Sequence, residues 1–277
     1  MRAFNQIRLL LFVCGLLGCG VVWANPAKTP VAACQGQVRS RTSKTGPQVA
    51  TIKPGLICFS GNIDKTSAQA LIGAIEKVPP GQPLTLVTEG SNGGRAAFGI
   101  GIAEVLSSRD TTVIAQGMCA SSCANYLWLM ANHRIIADRA LVVFHGGMTL
   151  ALLPGIDKKI EVFAQSHPNI NAKKFEQQER AKMEKLVRRQ DALLTKAGVE
   201  PDFFEFFDRI GSPATATSAS ADCKAKPNAQ YLVFSPKYLK SKGVKIESNQ
   251  GPKTAAELNA DLKRFGHKAS SEICFWN

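Results

Sequence analysis

Short apolar runs alternate along this chain with segments in which apolar side chains recur every three or four residues. The short runs are residues 56–59, 83–88, 111–115, 140–144 and 231–234. The periodic segments are residues 64–78, 95–108, 171–198 and 254–265. Runs of the first kind predict buried strands, and the second period predicts amphipathic helices. Their alternation predicts an α/β fold with a largely parallel sheet and flanking helices.

The N-terminus has the pattern of an export signal. Arg2 and Arg8 precede an apolar run, and Ala24 follows it as a small residue at a cleavage position. This pattern predicts a signal peptide over residues 1–24 and a periplasmic or secreted protein. The alternative is a membrane-anchored lipoprotein that carries its lipid on Cys19. Residues 25–50 are rich in Pro, Lys, Thr, Ser and Gly, which predicts a flexible leader before a domain over 51–277.

The charge balance adds little about a partner. The net charge of +13 becomes +11 when residues 1–24, with two arginines and no acidic residue, are removed. Such an excess of positive charge favours attraction to anionic surfaces. No basic-aromatic recognition motif accompanies it, so a nucleic-acid partner is not predicted. The glycine-rich loop at 90–94 lacks the P-loop ending and the dinucleotide spacing, and no cofactor is expected.

Cysteine usage agrees with export. Six cysteines follow the predicted signal: Cys34, Cys58, Cys119, Cys123, Cys223 and Cys274. An even number in an exported chain predicts disulfides, whose pairing the sequence leaves open. Cys119 and Cys123 could bridge across the turn between them. No histidine pair lies near them at zinc-ligand spacing, so no metal site is predicted.

One turn carries the strongest indication of chemistry. Residues 117–124, Gly-Met-Cys-Ala-Ser-Ser-Cys-Ala, connect the run at 111–115 to an apolar, helix-like run. A serine at a helix N-terminus lies near unpaired N–H groups that favour developing negative charge. Ser121 and Ser122 are therefore candidate nucleophiles. A serine needs a nearby base, and His145 follows a predicted strand, where α/β sheets place their sites.

These residues resemble the Clp protease proteolytic subunit, within the wider crotonase-like group of folds. In that family a Gly-x-Ala-Ala-Ser-Met-Gly-Ala turn carries the nucleophile, which implies Ser121. The family's catalytic histidine follows about one helix and one strand later, which implies His145. The resemblance implies a layered crotonase-like spiral of β-β-α units with a largely parallel sheet and flanking helices.

The resemblance also implies the other site residues. The family's Ser-Pro-Gly-Gly loop is similar to Ser-Asn-Gly-Gly at 91–94, so the N–H groups of Gly94 and Ser122 are expected to form the oxyanion hole. The family's third catalytic residue is an aspartate just before a late strand. The aligned position here is near Gln230, and Asp222 is the nearest acid upstream, so Asp222 is the candidate third member.

Two functions follow as hypotheses. The first is an exported serine peptidase or hydrolase that acts on peptide or protein substrates without ATP. The resemblance also implies that a homo-oligomer is possible, since the family's counterpart of the helix at 171–198 supports assembly. The second is a catalytically inactive binding or assembly module on the same fold. It is motivated by the unmatched third acid and by Ser122 and Cys123, where the family has methionine and glycine. The aromatic segment at 201–207 fits core packing, a substrate groove or an interface.

Overall fold

The computed structural model of the chain describes residues 28–38, 48–150, 160–163, 165–166, 171–204, 206–207, 217–265 and 271–277. The predicted signal peptide, with Cys19 and Ala24, lies outside these residues. Within the described ranges, no helix is both long enough and apolar enough to cross a membrane.

The strands of the described residues are short and mostly buried. They are β1 (Gln48–Lys53), β2 (Leu56–Ser60), β3 (Leu84–Thr88), β4 (Thr111–Ala115), β5 (Met118–Ala120), β6 (His133–Ile136), β7 (Leu141–Val143), β8 (Tyr231–Phe234), β9 (Ser248–Asn249) and β10 (Ile273–Trp276). Six of them form the central sheet in the order β1-β2-β3-β4-β6-β9. Only the β1–β2 pair in this sheet is antiparallel, and the other neighbours are parallel. The prediction of an α/β fold with a mostly parallel sheet is confirmed.

Helices flank this sheet and fill the connections between strands. The described α-helices are α1 (Lys28–Cys34), α2 (Lys65–Glu76), α3 (Ala96–Ser107), α4 (Ala172–Ala197), α5 (Ala221–Lys224), α6 (Pro236–Ser241) and α7 (Ala255–Arg264). A π-helix, Cys123–Trp128, follows β5. Helix α2 begins with a capping box, in which Asp64 and Ser67 each bond the other's backbone N–H. Helix α4 ends at Gly198, which has the left-handed conformation that glycine adopts without strain.

Two smaller strand pairs lie beyond the central sheet. Strand β5 pairs with β7, and β8 pairs with β10, in both cases in parallel. A bridge between Phe144 and Leu232 connects the two pairs, because each backbone N–H donates to the other's carbonyl at 2.8 Å. This connection places the residues after β7 beside the first residue of β8.

Several elements differ from the predictions. Helix α1 lies within the predicted leader at 25–50, and strand β1 begins in it at Gln48 and continues to Lys53. The polar composition of this segment gave no sign of either element. A disulfide joins α1 to β2 through Cys34 and Cys58. The turn predicted at 117–124 contains β5, and β6 and β10 were not predicted. These strands have three or four residues, too few to show a period.

Three disulfides connect the predicted cysteines. The pairs are Cys34–Cys58, Cys119–Cys123 and Cys223–Cys274, with Cα–Cα distances of 5.6, 5.2 and 5.0 Å. The prediction of disulfides is confirmed, including the bridge across the turn that holds Ser121. Disulfides persist in oxidising compartments, so these pairs fit an exported protein.

The aromatic segment after α4 belongs to the core. Phe203 and Phe204 are each 1 % exposed. Their rings contact one another edge to face, and Phe203 also contacts Phe144 and Phe234. Of the three interpretations of this segment, core packing therefore holds for these two side chains.

Candidate active site

Strands β5 and β7 bring the candidate nucleophile and base together. They are parallel, with Ala120 opposite Val143, so their carboxyl ends lie at the same edge. Ser121 follows β5 directly, and its backbone N–H donates to the Val143 carbonyl at 2.9 Å. His145 comes two residues after β7. The Oγ of Ser121 lies 2.5 Å from Nε2 of His145, within hydrogen-bond reach.

Ser121 has a backbone conformation that is rare for its residue type. Its φ angle is 57°, in the left-handed region, and only one other described non-glycine residue has a positive φ. Such strain costs about 1–3 kcal/mol and persists where the surrounding structure enforces it, often at functional sites. The β5–β7 pairing before Ser121 and the π-helix after it provide that constraint.

The surroundings of His145 favour its neutral ring. Burial lowers the pKa of His145, while a hydrogen bond of its ring to the Gly146 backbone raises the pKa by a smaller amount. The ring of Tyr231 contacts the imidazole edge to face, with 5.6 Å between centroids. A neutral imidazole can accept the proton of a serine hydroxyl, and a protonated one cannot.

The glycine-rich loop approaches the nucleophile turn closely. Gly93 has a φ of 81°, and a Cβ built on it would lie 2.5 Å from the Ala120 carbonyl oxygen and 2.6 Å from the Ser122 nitrogen. No side chain fits in that space. Ser122 strengthens the contact, since its Oγ donates to the Gly94 carbonyl at 2.7 Å. The loop and the turn therefore form one unit.

The predicted oxyanion donors meet within this unit. Neither the Gly94 nor the Ser122 backbone N–H donates to any residue that the structure describes. The bridge between Gly94 and Ile63 uses the carbonyl of Gly93 and the N–H of Arg95 instead. These two backbone N–H groups therefore have no acceptor among the described residues, which is a condition that an oxyanion site must meet.

The candidate third residue lies elsewhere. One oxygen of the Asp222 carboxylate accepts a hydrogen bond from the Phe275 backbone N–H at 2.8 Å and an ion pair from Lys226 at 3.1 Å. Asp222 therefore supports α5 and β10. Among the described residues, no carboxylate bonds to His145. The structure brings Ser121, His145, Gly94 and Ser122 together and leaves Asp222 apart from them.

Two residues that support the site were not found from the sequence. Asn125 donates from Nδ2 to the carbonyls of His145 and Gly146 at 3.1 and 3.4 Å. Gln190, on α4, accepts from the Met148 N–H and donates to the Met148 carbonyl, both at 2.9 Å. In the sequence, the only sign of each is a polar residue within an otherwise apolar helical stripe.

No external likeness adds to this geometry. Neither a protein-family model nor a curated protein matches the sequence. Within the described ranges, no three His, Cys, Asp or Glu side chains cluster so that they could hold a metal ion. The assignment of chemistry depends on the arrangement around Ser121.

Proposed function

We propose that this protein is an exported serine hydrolase, and more narrowly an ATP-independent, Clp-like serine peptidase on a crotonase-like spiral. Ser121 is the nucleophile and His145 the base, and the substrate is a peptide or a protein chain. The observation that carries the proposal is the 2.5 Å separation of Ser121 Oγ and His145 Nε2. The strained backbone of Ser121 supports it, because strain of this kind is typical of functional residues.

The proposed reaction proceeds in two stages. Ser121 Oγ attacks the substrate carbonyl carbon while its proton passes to His145 Nε2, and the N–H groups of Gly94 and Ser122 bind the resulting oxyanion. The tetrahedral intermediate collapses, His145 gives the proton to the leaving amine, and an acyl-serine ester remains. Water then attacks the ester with His145 as base, which releases the acid and restores the serine.

Hydrolysis of a mixed fluorogenic peptide library tests the proposal. The mature protein, with its disulfides formed, should cleave peptides without ATP, and Ser121→Ala and His145→Gln should each lose at least about 10³-fold in rate, as in other serine hydrolases. Ser108→Ala is the matched control, because the hydroxyl of this exposed serine donates to the Val105 carbonyl at the end of α3. Equal activity in Ser121→Ala and Ser108→Ala would overturn the assignment.

The competing hypothesis is a binding module with the same architecture. The observation in its favour is the engagement of Asp222 by Phe275 and Lys226, which leaves His145 without a carboxylate partner among the described residues. A folded, oxidised protein that cleaves no peptide and reacts with no serine-directed reagent would support the module. A pair of serine and histidine can catalyse acyl transfer when another group orients the histidine, so we favour the hydrolase.

A further inference from the structure

Asn125 contacts the backbone on both sides of the proposed reaction. It lies in the π-helix, four residues after Ser121, and is 1 % exposed. Its backbone N–H donates to the Ser121 carbonyl at 2.8 Å. Its side-chain Nδ2 donates to the carbonyls of His145 and Gly146. One buried residue therefore holds the segments that carry the nucleophile and the base.

Packing alone does not account for an amide at this position. The neighbouring residues Ala124, Leu127 and Trp128 are buried and apolar. The Oδ1 atom of Asn125 is also buried, and it accepts no hydrogen bond from any residue that the structure describes. Burial of an unpaired acceptor is unfavourable, and an apolar side chain of similar volume would avoid it. The two bonds made by Nδ2 are what the amide supplies and an apolar side chain does not.

We propose that Asn125 is a positioning residue for the Ser121–His145 pair, in the role that a carboxylate has in a catalytic triad. This inference rests on the proposed function. A triad carboxylate orients the histidine by binding the ring nitrogen that faces away from the serine. Asn125 acts one step further back: it fixes the carbonyls of His145 and Gly146, and with them the chain segment from which the imidazole projects.

The contact of the His145 ring with Gly146 connects the imidazole to the backbone that Asn125 holds. A hydrogen bond to the Gly146 backbone raises the pKa of the imidazole, as a carbonyl acceptor does. The Gly146 carbonyl accepts from Asn125 Nδ2 at 3.4 Å. The orientation of the imidazole is therefore set through the main chain, and no acid is needed at the position that Asp222 was expected to fill.

Steady-state kinetics of two variants test the role. Asn125→Ala removes the donors, and Asn125→Leu removes them while keeping the number and branching of the side-chain heavy atoms. Both should lower kcat by about 10- to 100-fold with KM changed less than about threefold, because small misplacement of a reacting group affects the chemical step more than binding. Asn132→Ala is the control, because it makes the same change at an exposed asparagine four residues after the π-helix, and it should leave kcat unchanged. Unchanged kcat in both Asn125 variants would overturn the proposal.

A second measurement does not require activity. NMR titration of the His145 ring, assigned with His145→Gln, should give a pKa below 6.5 in the wild type, and in Asn125→Ala the ring signals and the pKa should both change. Identical ring signals and pKa values in the two proteins would overturn the positioning role even if the protein proves to be inactive. An inactive wild type with a displaced ring in the variant would instead overturn the proposed function alone.

If neither Asn125 variant folds, hydrogen exchange in the wild-type protein still tests the proposal. The side-chain NH₂ protons of Asn125 should exchange slowly with solvent, since the residue is 1 % exposed and its Nδ2 donates to two carbonyls. Their signals should shift when a fluorophosphonate modifies Ser121. Fast exchange, like that of the exposed Asn132, would contradict the proposal.

Discussion

His145 loses most of its contact with water, and this loss sets the pH range of the proposed reaction. Burial lowers its pKa from the ordinary value of 6.5. The ring should therefore be neutral at pH 7 and become protonated only in more acidic solution. Because only the neutral ring accepts the Ser121 proton, the rate of fluorophosphonate reaction should rise with pH and reach half its maximum below pH 6.5.

This pH dependence can be measured from about pH 4.5 to 9 as second-order rate constants, with His145→Gln as the control that removes the titrating base. A midpoint at or above pH 7 would mean that the ring is not desolvated in the way the structure describes.

The Cys119–Cys123 bridge encloses the nucleophile, and its removal should affect activity more than stability. The loop spans four residues, so the bridge constrains the unfolded chain only modestly. It also fixes the turn that aims Ser121. We expect Cys119→Ser to lose more than about tenfold in kcat, as misplaced reacting groups do. Full activity in Cys119→Ser/Cys123→Ser would contradict this, as would detection of both thiols in protein from an oxidising compartment.

Residue type and order indicated Ser121 and His145, and the resemblance to the Clp family implied Gly94 and Ser122. The structure places Ser121 against His145 and Ser122 against Gly94. Asn125 was not predicted, because an asparagine in an apolar helical run carries no sign of which carbonyls it will meet. Asp222 was chosen by distance along the chain alone. Its carboxylate is held by Lys226, four residues later, and by the Phe275 N–H, which is distant in sequence.

Arg134 shows how one side chain joins separate elements. It lies in β6, is 2 % exposed, and donates to the carbonyls of Leu129, Ala197 and Lys245 at 2.8, 3.0 and 3.2 Å. Leu129 follows the π-helix, Ala197 is the last residue of α4, and Lys245 precedes β9. Burial lowers the pKa of Arg134 to about 10. The guanidinium therefore stays charged at neutral pH and satisfies carbonyls that would otherwise be unpaired.

Arg134→Met should destabilise the protein by about 3 kcal/mol, because it leaves buried acceptors without donors. Urea denaturation followed by circular dichroism measures this change. Arg188→Met is the control: Arg188 is exposed and lies 3.7 Å from Glu184, so its loss should cost less than about 0.5 kcal/mol. Equal effects of the two substitutions would show that the Arg134 contacts contribute no special stability.

The long elements were predicted well and the short ones poorly. Helix α4 lies within one residue of its predicted bounds, because its cap Asn171, its apolar stripe and Gly198 all agree. Strands β5 and β6 were missed. Their signal is three or four residues long. Strand β6 also begins with His133 and Arg134, and the burial of Arg134 depends on the carbonyls of Ala197 and Lys245, which are distant in sequence.

The whole molecule is cross-linked three times, and the bridges should differ in what they contribute to stability. The paired cysteines are 51, 24 and 4 positions apart in the order Cys223–Cys274, Cys34–Cys58 and Cys119–Cys123. Loop-closure entropy then predicts losses of about 4, 3 and 2 kcal/mol when each pair is replaced by alanine. Equilibrium denaturation of the three double variants measures the order. A larger loss from the shortest loop than from the longest would contradict it.

The central claim is that Ser121 is an activated nucleophile, and the site of covalent modification tests it most directly. The mature, oxidised protein should be incubated with a fluorophosphonate, and the adduct located by mass spectrometry of proteolytic peptides. The account predicts one adduct, on Ser121, that is absent from Ser121→Ala and strongly slowed in His145→Gln. The account would be contradicted if the folded wild-type protein formed no adduct, or if the same adduct also formed in Ser121→Ala.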